Sequence, residues 1–365
     1  MGCRIQERKV GEQLSVAIGK LLSEVKQKIE LEELSGKVIA VDAYNTIYQF
    51  LSIIRQPDGR PLTDSKGRIT SHLSGLFYRT INMVEKNVIP VFVFDGTPPA
   101  LKMRTLEARG KRREEARENW EEAIRKGMIE EARTYAMAST RINKEIVEDS
   151  KKLLEYMGIA CIQAPSEGEA QAAEMVKSGA VYASASQDYD SFLFGADVVI
   201  RNLTLTGRRK LPGKNIFVNV EIERIFLEDV LRNAGISRSQ LIWLGMLVGT
   251  DFNEGIKGVG PMTALKIIKE KKSVEEVFAF AKEKYNIELS FDPKEVEEVF
   301  TKLDVLDIKK EDVEKMLKET SPSKEKISKF LCDEHEFSHE RVEKFAEKLL
   351  AAKKSSGQKG MASWI

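Results

Sequence analysis

Three strongly apolar runs of this chain end in aspartate. KVIAVD closes at Asp42, VIPVFVFD at Asp95 and AVYASASQD at Asp188, while a fourth run, ADVVIR, ends at Arg201. Each is a nearly continuous stretch of β-branched and small apolar residues, and helical patterns lie between them. That is the pattern of strands buried on both faces of a parallel sheet. The fold class predicted is α/β, a mostly parallel twisted sheet flanked by helices. In open sheets of this kind ligands bind beyond the carboxyl ends of the strands. Asp42, Asp95, Asp188 and its near neighbour Asp190 are therefore predicted to meet at one edge. Any single aspartate at a strand end is explained as well by starting a turn or capping a helix, but three strands ending alike favour a shared site.

Three further carboxylates fit beside them. APSEGEAQAAEM carries Glu167 and Glu169. Ser166 and Glu169 have the spacing of a capping box ahead of an alanine-rich helix, a role that leaves Glu167 unexplained. LVGTDFNEG places Asp251 directly after an apolar helical run. Two like charges 4 Å apart repel by about 4 kcal/mol at an effective dielectric near 20. Seven carboxylates in one pocket must raise their pKa values or hold cations. Oxygen-only ligands suit Mg²⁺ or Mn²⁺ rather than Zn²⁺, and hard divalent ions in a carboxylate cup are the apparatus of phosphodiester hydrolysis.

Two segments could bind a polyanion. LKMRTLEARGKRREEAREN brings Lys102, Arg109 and Arg113 to one helical face and then turns acidic, which predicts an exposed helical excursion over about 100–143. GIKGVGPMTALKII has Gly258 and Gly260 around one small apolar residue, with Ile256, Val259, Ala264, Ile267 and Ile268 at the spacings of a helix-hairpin-helix. In that motif the glycines let backbone amides approach a DNA phosphate, and the next helix N-terminus adds its dipole. With a net charge of only +1 over 365 residues, any nucleic-acid signal has to be local. The three scattered cysteines, Cys3, Cys161 and Cys332, fit a reducing interior without disulfides. The longest apolar run is too short to span a bilayer. A soluble intracellular protein is expected, of cytoplasm or nucleoid if the source is archaeal.

VDAYNTIYQFL, DSKGRITSHLSGLFYRT, VFDGTPP, APSEGEAQAA, SQDYDSFLFG, RNLTLTG, LVGTDFNEGIKGVG and KFLCDEHEFS together resemble the flap endonuclease family of structure-specific 5′ nucleases, and its archaeal members above all. The resemblance runs from about Leu31 to the C-terminus. It implies a two-metal site of Asp42, Asp95, Glu167, Glu169, Asp188, Asp190 and Asp251, holding Mg²⁺ or Mn²⁺. Lys102 and Arg109 correspond to basic arch residues at the scissile phosphate. Tyr48 corresponds to an aromatic that stacks on a base, and Arg79 to an arginine on the duplex. A K⁺ ion is implied at the hairpin of Gly258 and Gly260. The implied reaction is cleavage at the base of 5′ flaps in replication and repair, with 5′-3′ exonuclease activity, leaving 5′-phosphate and 3′-hydroxyl ends. The rival readings are a sibling 5′ nuclease of other preference and a non-catalytic DNA-binding scaffold that recruits the sliding clamp.

QKGMASWI places Gln358, Met361, Trp364 and Ile365 at the positions of the box with which replication proteins dock on the sliding clamp. The expected organisation is an N-terminal extension over 1–28, to which no function transfers, and one nuclease domain over 29–345. That domain comprises 29–99, a helical arch over 100–143, 144–250, and the hairpin with C-terminal helices over 251–345. A flexible tail over 346–365 completes a chain expected to act as a monomer. Cys332, His335 and His339 have spacings that zinc could use, but a helix-turn with exposed histidines explains them better.

Overall fold

The computed structural model describes residues 22, 24–56, 58–204, 207–210 and 217–359. Its main sheet has the strand order β1-β9-β6-β5-β2-β3-β4. The strands are β1 (Gln27–Ile29), β2 (Val38–Asp42), β3 (Ile89–Phe94), β4 (Ala160–Gln163), β5 (Ala183–Ala185), β6 (Val198–Arg201) and β9 (Ile222–Phe226), while β7 (Gly207–Lys210) and β8 (Phe217–Val220) pair separately. The strands from β4 to β6 run parallel. Strand β9 joins β6 antiparallel, and β1 joins β9 antiparallel. The four apolar runs are β2, β3, β5 and β6, all interior. The three strands of the main sheet that sequence reasoning did not single out, β1, β4 and β9, lie at or next to its edges. β4 alternates buried and exposed side chains, and β9 carries Glu223 and Arg224. An edge strand with one wet face never shows a continuous apolar run.

The period of two along β2 builds two cores. Ile39 and Val41 face a cluster with α1 (Ala43–Ile53), α2 (Ser71–Glu85) and α5 (Lys144–Tyr156), while Val38 and Ala40 face α6 (Gly168–Lys177). A third cluster centres on α9 (Arg238–Val248) and α10 (Pro261–Glu270) and includes Phe194, Phe252 and Phe300. Helix α2 approaches α1 at Gly75, where an added Cβ would lie 2.2 Å from Phe50 Cγ, a ring that is itself buried. Gly75→Ala should therefore cost about 2–3 kcal/mol through overpacking, read as a lower denaturation midpoint at unchanged slope.

The predicted excursion is a helical hairpin, α3 (Met103–Arg125) and α4 (Ile129–Ala138), whose buried residues are all small, Ala116 and Ala123 on one helix and Ala132 and Ala136 on the other. Small side chains let the two backbones approach while the charged outer faces stay in water. Its tip carries the exposed Met128 and Ile129.

Three sequence expectations need correction. Helix α15 runs His339–Lys359, with Ala346 and Leu349 buried in the core, so the tail is not loose from 346. Ser355, Ser356 and Gly357 weaken a helix locally, yet the buried apolar stripe upstream carries it through them. At the other end Leu22 is fully buried among the residues around Phe192 and Leu241, and β1 starts at Gln27, so the fold begins before residue 29. Finally, His335 is 3% exposed, between Asp64 (3.7 Å) and Asp149 (3.8 Å) and edge-on to Phe330, and not at the surface. Cys161 and Cys332 are free thiols. Among the described residues no helix is long and apolar enough to cross a membrane.

Candidate active site

Most of the acids stand where a strand or helix ends or begins, and Glu169 stands in the first turn of α6. Asp42 is the last residue of β2 and also the N-cap of α1, its Oδ1 accepting from the Asn45 backbone N–H at 3.0 Å. The cap and site roles coincide in one carboxyl group. Asp95 follows β3 directly and accepts from the Gly168 N–H at 2.7 Å. At Gly168 a Cβ would stand 2.7 Å from the same carboxylate oxygen, so the donor position admits no side chain. Glu167 is the N-cap residue of α6 without a side-chain cap bond. The Ser166–Glu169 capping box is not formed. Instead Glu169 turns to the sheet edge, where its carboxylate accepts from Ser186 Oγ (2.6 Å) and Ser191 Oγ (3.2 Å). Asp188 lies in the turn after β5, and Asp190 opens the short helix α7 (Asp190–Phe194). Asp251 sits in a tight turn held by Thr250 and Asn253, whose side chains hydrogen-bond at 2.7 Å while Asn253 also donates to the Met246 carbonyl.

The seven acids lie near enough to one another for their charges to interact. Burial raises Asp42 to about 8, with the charges of Asp95 and Asp188 adding to it. Burial likewise raises Asp95, whose nearest relief is Lys102, and Glu167, again opposed by Lys102. Glu169 is pushed well up by burial and then by Asp42, Asp190 and Asp188. Asp190 is pushed well up by burial and then by Asp251 and Asp188. Asp188 touches solvent, yet the protein around it, and then Asp251, raises its carboxyl too.

Two cations reach in from the arch. Lys102 Nζ donates to Glu167 and lies 3.6 Å from Asp251 and 5.9 Å from the centre of the Phe252 ring. Burial opposes its charge, but Glu167, Asp251 and Asp95 outweigh that and hold its pKa above the usual lysine value. The Arg109 guanidinium grips both Asp251 oxygens in bidentate fashion, the strongest form of such a pair. Lys102, in the short 3-10 turn that leads into α3, and Arg109, two turns along it, thus converge on the same acids. Arg113 lies over the Tyr48 ring at 5.9 Å, which places Tyr48 on the arch side of α1. Arg201, at the end of the fourth apolar run, donates to the Gln187 carbonyl (3.2 Å), Glu223 (3.1 Å) and the Tyr189 hydroxyl. It braces the turn that carries Asp188. Sequence reasoning missed Asn45, Ser186, Ser191, Arg201 and Asn253. Polar residues with long-range partners carry no local pattern.

The remaining predicted residues lie elsewhere. Gly258, at φ +87°, and Gly260, the N-cap of α10, face open space. Ile256, Val259, Ala264, Ile267 and Ile268 are buried behind them, the arrangement the hairpin pattern requires. Arg79 lies exposed on α2. Gln358 falls in the last turn of α15, and Met361, Trp364 and Ile365 lie outside the described residues.

The donor set is all oxygen and carries more negative charge than Lys102 and Arg109 neutralise, which fits hard divalent cations. Among the described residues no three His, Cys, Asp or Glu side chains already stand close enough to chelate one ion. Lys102 and Arg109 supply the positive charge among the acids instead. Linkage follows. Carboxyls with raised pKa bind protons more tightly in the folded state, so their contribution is favourable at low pH and is lost as pH rises from near 4 through about 8, the Asp42 value. In EDTA, the thermal midpoint should be several degrees lower at pH 8.5 than at pH 5.5. Added Mg²⁺ should recover most of the loss.

Comparison with known proteins gives the family. The pattern of the XPG N-terminal domain matches residues 17–116, and that of the XPG I-region matches residues 158–251. The first match starts inside the stretch expected to be an extension. Flap endonuclease 1 of Pyrococcus furiosus is 53% identical over 353 residues, covering 96% of this chain and 99% of its own length. Among solved structures, the flap endonuclease-1 from Methanococcus jannaschii superposes with a TM-score of 0.68 at 38% identity, covering 91% of this chain and 97% of that one. The catalytic core of Rad2 in complex with DNA substrate shares the fold, with a TM-score of 0.64 at 24% identity, 91% of this chain and 99% of that one. With half of its residues identical to such an enzyme over nearly its whole length, and both XPG domain patterns matched, this chain belongs to the flap endonuclease family of XPG nucleases.

Proposed function

We propose that the protein is a divalent-metal-dependent 5′ flap endonuclease of DNA replication and repair, with associated 5′-3′ exonuclease activity. The observation that carries the reading is the pairing of Lys102 and Arg109 with Glu167 and Asp251 inside the acid cluster. When bound by Asp42, Asp95, Glu167, Glu169, Asp188, Asp190 and Asp251, two Mg²⁺ ions supply Lewis acidity for water activation and for the leaving oxygen; Mn²⁺ suits the same ligands. The chain's own residues do the rest. A phosphate entering the pocket competes with the carboxylates for Lys102 and Arg109, and the two cations then steady the charge that develops on it. Tyr48, next to the arch, offers a face on which a base beside the cut stacks. Gly258 and Gly260 present an uncluttered backbone and helix start to the duplex phosphates, and the backbone around them would hold a K⁺ ion that adds positive charge there. Arg79 takes a phosphate on the other side. Cleavage at the flap base leaves 5′-phosphate and 3′-hydroxyl ends. The protein acts as a monomer inside the cell, and Gln358, Met361, Trp364 and Ile365 dock it on the sliding clamp.

The test is cleavage of an end-labelled double-flap DNA with Mg²⁺ and with EDTA, beside a blunt duplex and a four-way junction. A single Mg²⁺-dependent cut at the flap base is expected. Preference for the duplex end or the junction would move the reading to a sibling nuclease. Binding without cutting would leave the scaffold that recruits the clamp.

A further inference from the structure

Asn45 touches two of the acids at once. Its backbone N–H donates to Asp42 Oδ1 at 3.0 Å, and its side-chain Nδ2 donates to Asp188 Oδ2 at 2.8 Å. Its own Oδ1 accepts from Gln49 Nε2 at 2.5 Å, one helical turn further along α1. Gln49 Oε1 in turn accepts from the hydroxyl of Thr204 at 3.3 Å, a residue 5% exposed in the loop after β6. The three donors point the same way, from Thr204 through Gln49 and Asn45 to Asp188. An amide can be turned over at no local cost, and only its neighbours decide which end faces a carboxylate. Here Thr204 fixes Gln49, and Gln49 fixes Asn45 with its NH₂ toward the acid. A chain polarised in one sense also strengthens its terminal bond.

We propose that Asn45, oriented by Gln49 and Thr204, is a positioning residue that holds the Asp188 carboxylate aimed into the site and in register with Asp42. It rests on the metal-site reading above for what the aimed carboxylate does. Partners that hold a liganding carboxylate in place are worth about 10–100-fold in metal affinity.

Two variants separate this role from a structural one. Asn45→Ala removes the donor. Gln49→Glu leaves Asn45 in place but presents it with an acceptor, so the Asn45 amide turns over and its carbonyl faces Asp188. Mn²⁺ binding is titrated without DNA by electron paramagnetic resonance, and the Mg²⁺ concentration for half-maximal cleavage and the KM for flapped DNA are measured alongside. Both variants should weaken Mn²⁺ binding and raise the Mg²⁺ requirement by about 10-fold or more, with KM for DNA unchanged. Gln49→Met, which also lacks the donor but leaves the amide free to choose, should fall between Gln49→Glu and the parent. Wild-type Mn²⁺ affinity in Gln49→Glu would overturn the proposal. Weakened Mn²⁺ binding in a protein that cuts no flapped DNA would keep it and remove the flap reading instead.

Discussion

An Asp188→Asn protein should bind flapped DNA and fail to cut it. The substitution keeps the shape and keeps an oxygen to accept the Asn45 hydrogen bond, so the turn after β5 has no reason to move. What disappears is one negative charge, and with it a ligand for a hard cation. Removing a single group that stabilises transition-state charge costs about 10²–10³-fold, and loss of a ligand from a site shared by two ions should exceed that. Binding should be no weaker and is expected to tighten slightly, since the acids repel the phosphates that enter. The same logic predicts a stability gain. Asp188 and Asp251 raise one another's neighbours, Asp190 among them, so the neutral variant should melt higher than the parent in EDTA at pH 8 and lose that advantage in Mg²⁺. Full cleavage by Asp188→Asn would sink the metal-site assignment; intact melting with no cleavage and no DNA binding would mean that the turn had collapsed after all.

The acids were legible because of where they stand. An interior strand of a parallel sheet is apolar on both faces, so a carboxylate at its end breaks the pattern sharply, and Asp42, Asp95 and Asp188 each do so. Helical periodicity grouped Lys102 and Arg109 with Arg113 on one face, and only the family resemblance singled out the first two. Glu169 was half legible. Ser166 and Glu169 have capping-box spacing, but Ser186 and Ser191 compete for the same carboxylate from across the sheet edge and win. His335 was misread for a related reason. Its environment comes from Asp64 and Asp149, both far away in sequence, and from Phe330. Nothing in CDEHEFSH announces that a buried imidazole is meant. The edge strands β1 and β4, and β9 next to the edge, escaped because an exposed face dilutes the apolar signal, and α15 outran its expected end because tertiary packing overrode weak local propensity. In each case the missing information is a partner more than a dozen residues away.

Lys102→Met should slow cleavage by about 10²–10³-fold while making the metal bind more tightly. The two effects point in opposite directions, and that opposition tests what Lys102 is for. Its ammonium group is mostly buried, at 13% side-chain exposure, against a Glu167 side chain at 10%. Taking one partner from such a pair leaves an uncompensated charge and costs about 3–5 kcal/mol. Glu167 can escape that cost by taking a proton, and its pKa is already raised by burial. The destabilisation in EDTA should therefore be large at pH 8.5 and small at pH 5.5. A divalent ion can take the place of the lost ammonium charge, so Mn²⁺ affinity should rise and Mg²⁺ should restore most of the melting temperature. Cleavage should not return with it, because a cation held by carboxylates cannot move onto the phosphate as a lysine on the arch can. If Lys102→Met instead bound Mn²⁺ more weakly, the lysine would be organising the acids rather than competing for them. If it also cut at the parental rate, the arch would have no part in the chemistry, and its approach to Glu167 and Asp251 would serve only to hold α3 against the sheet edge.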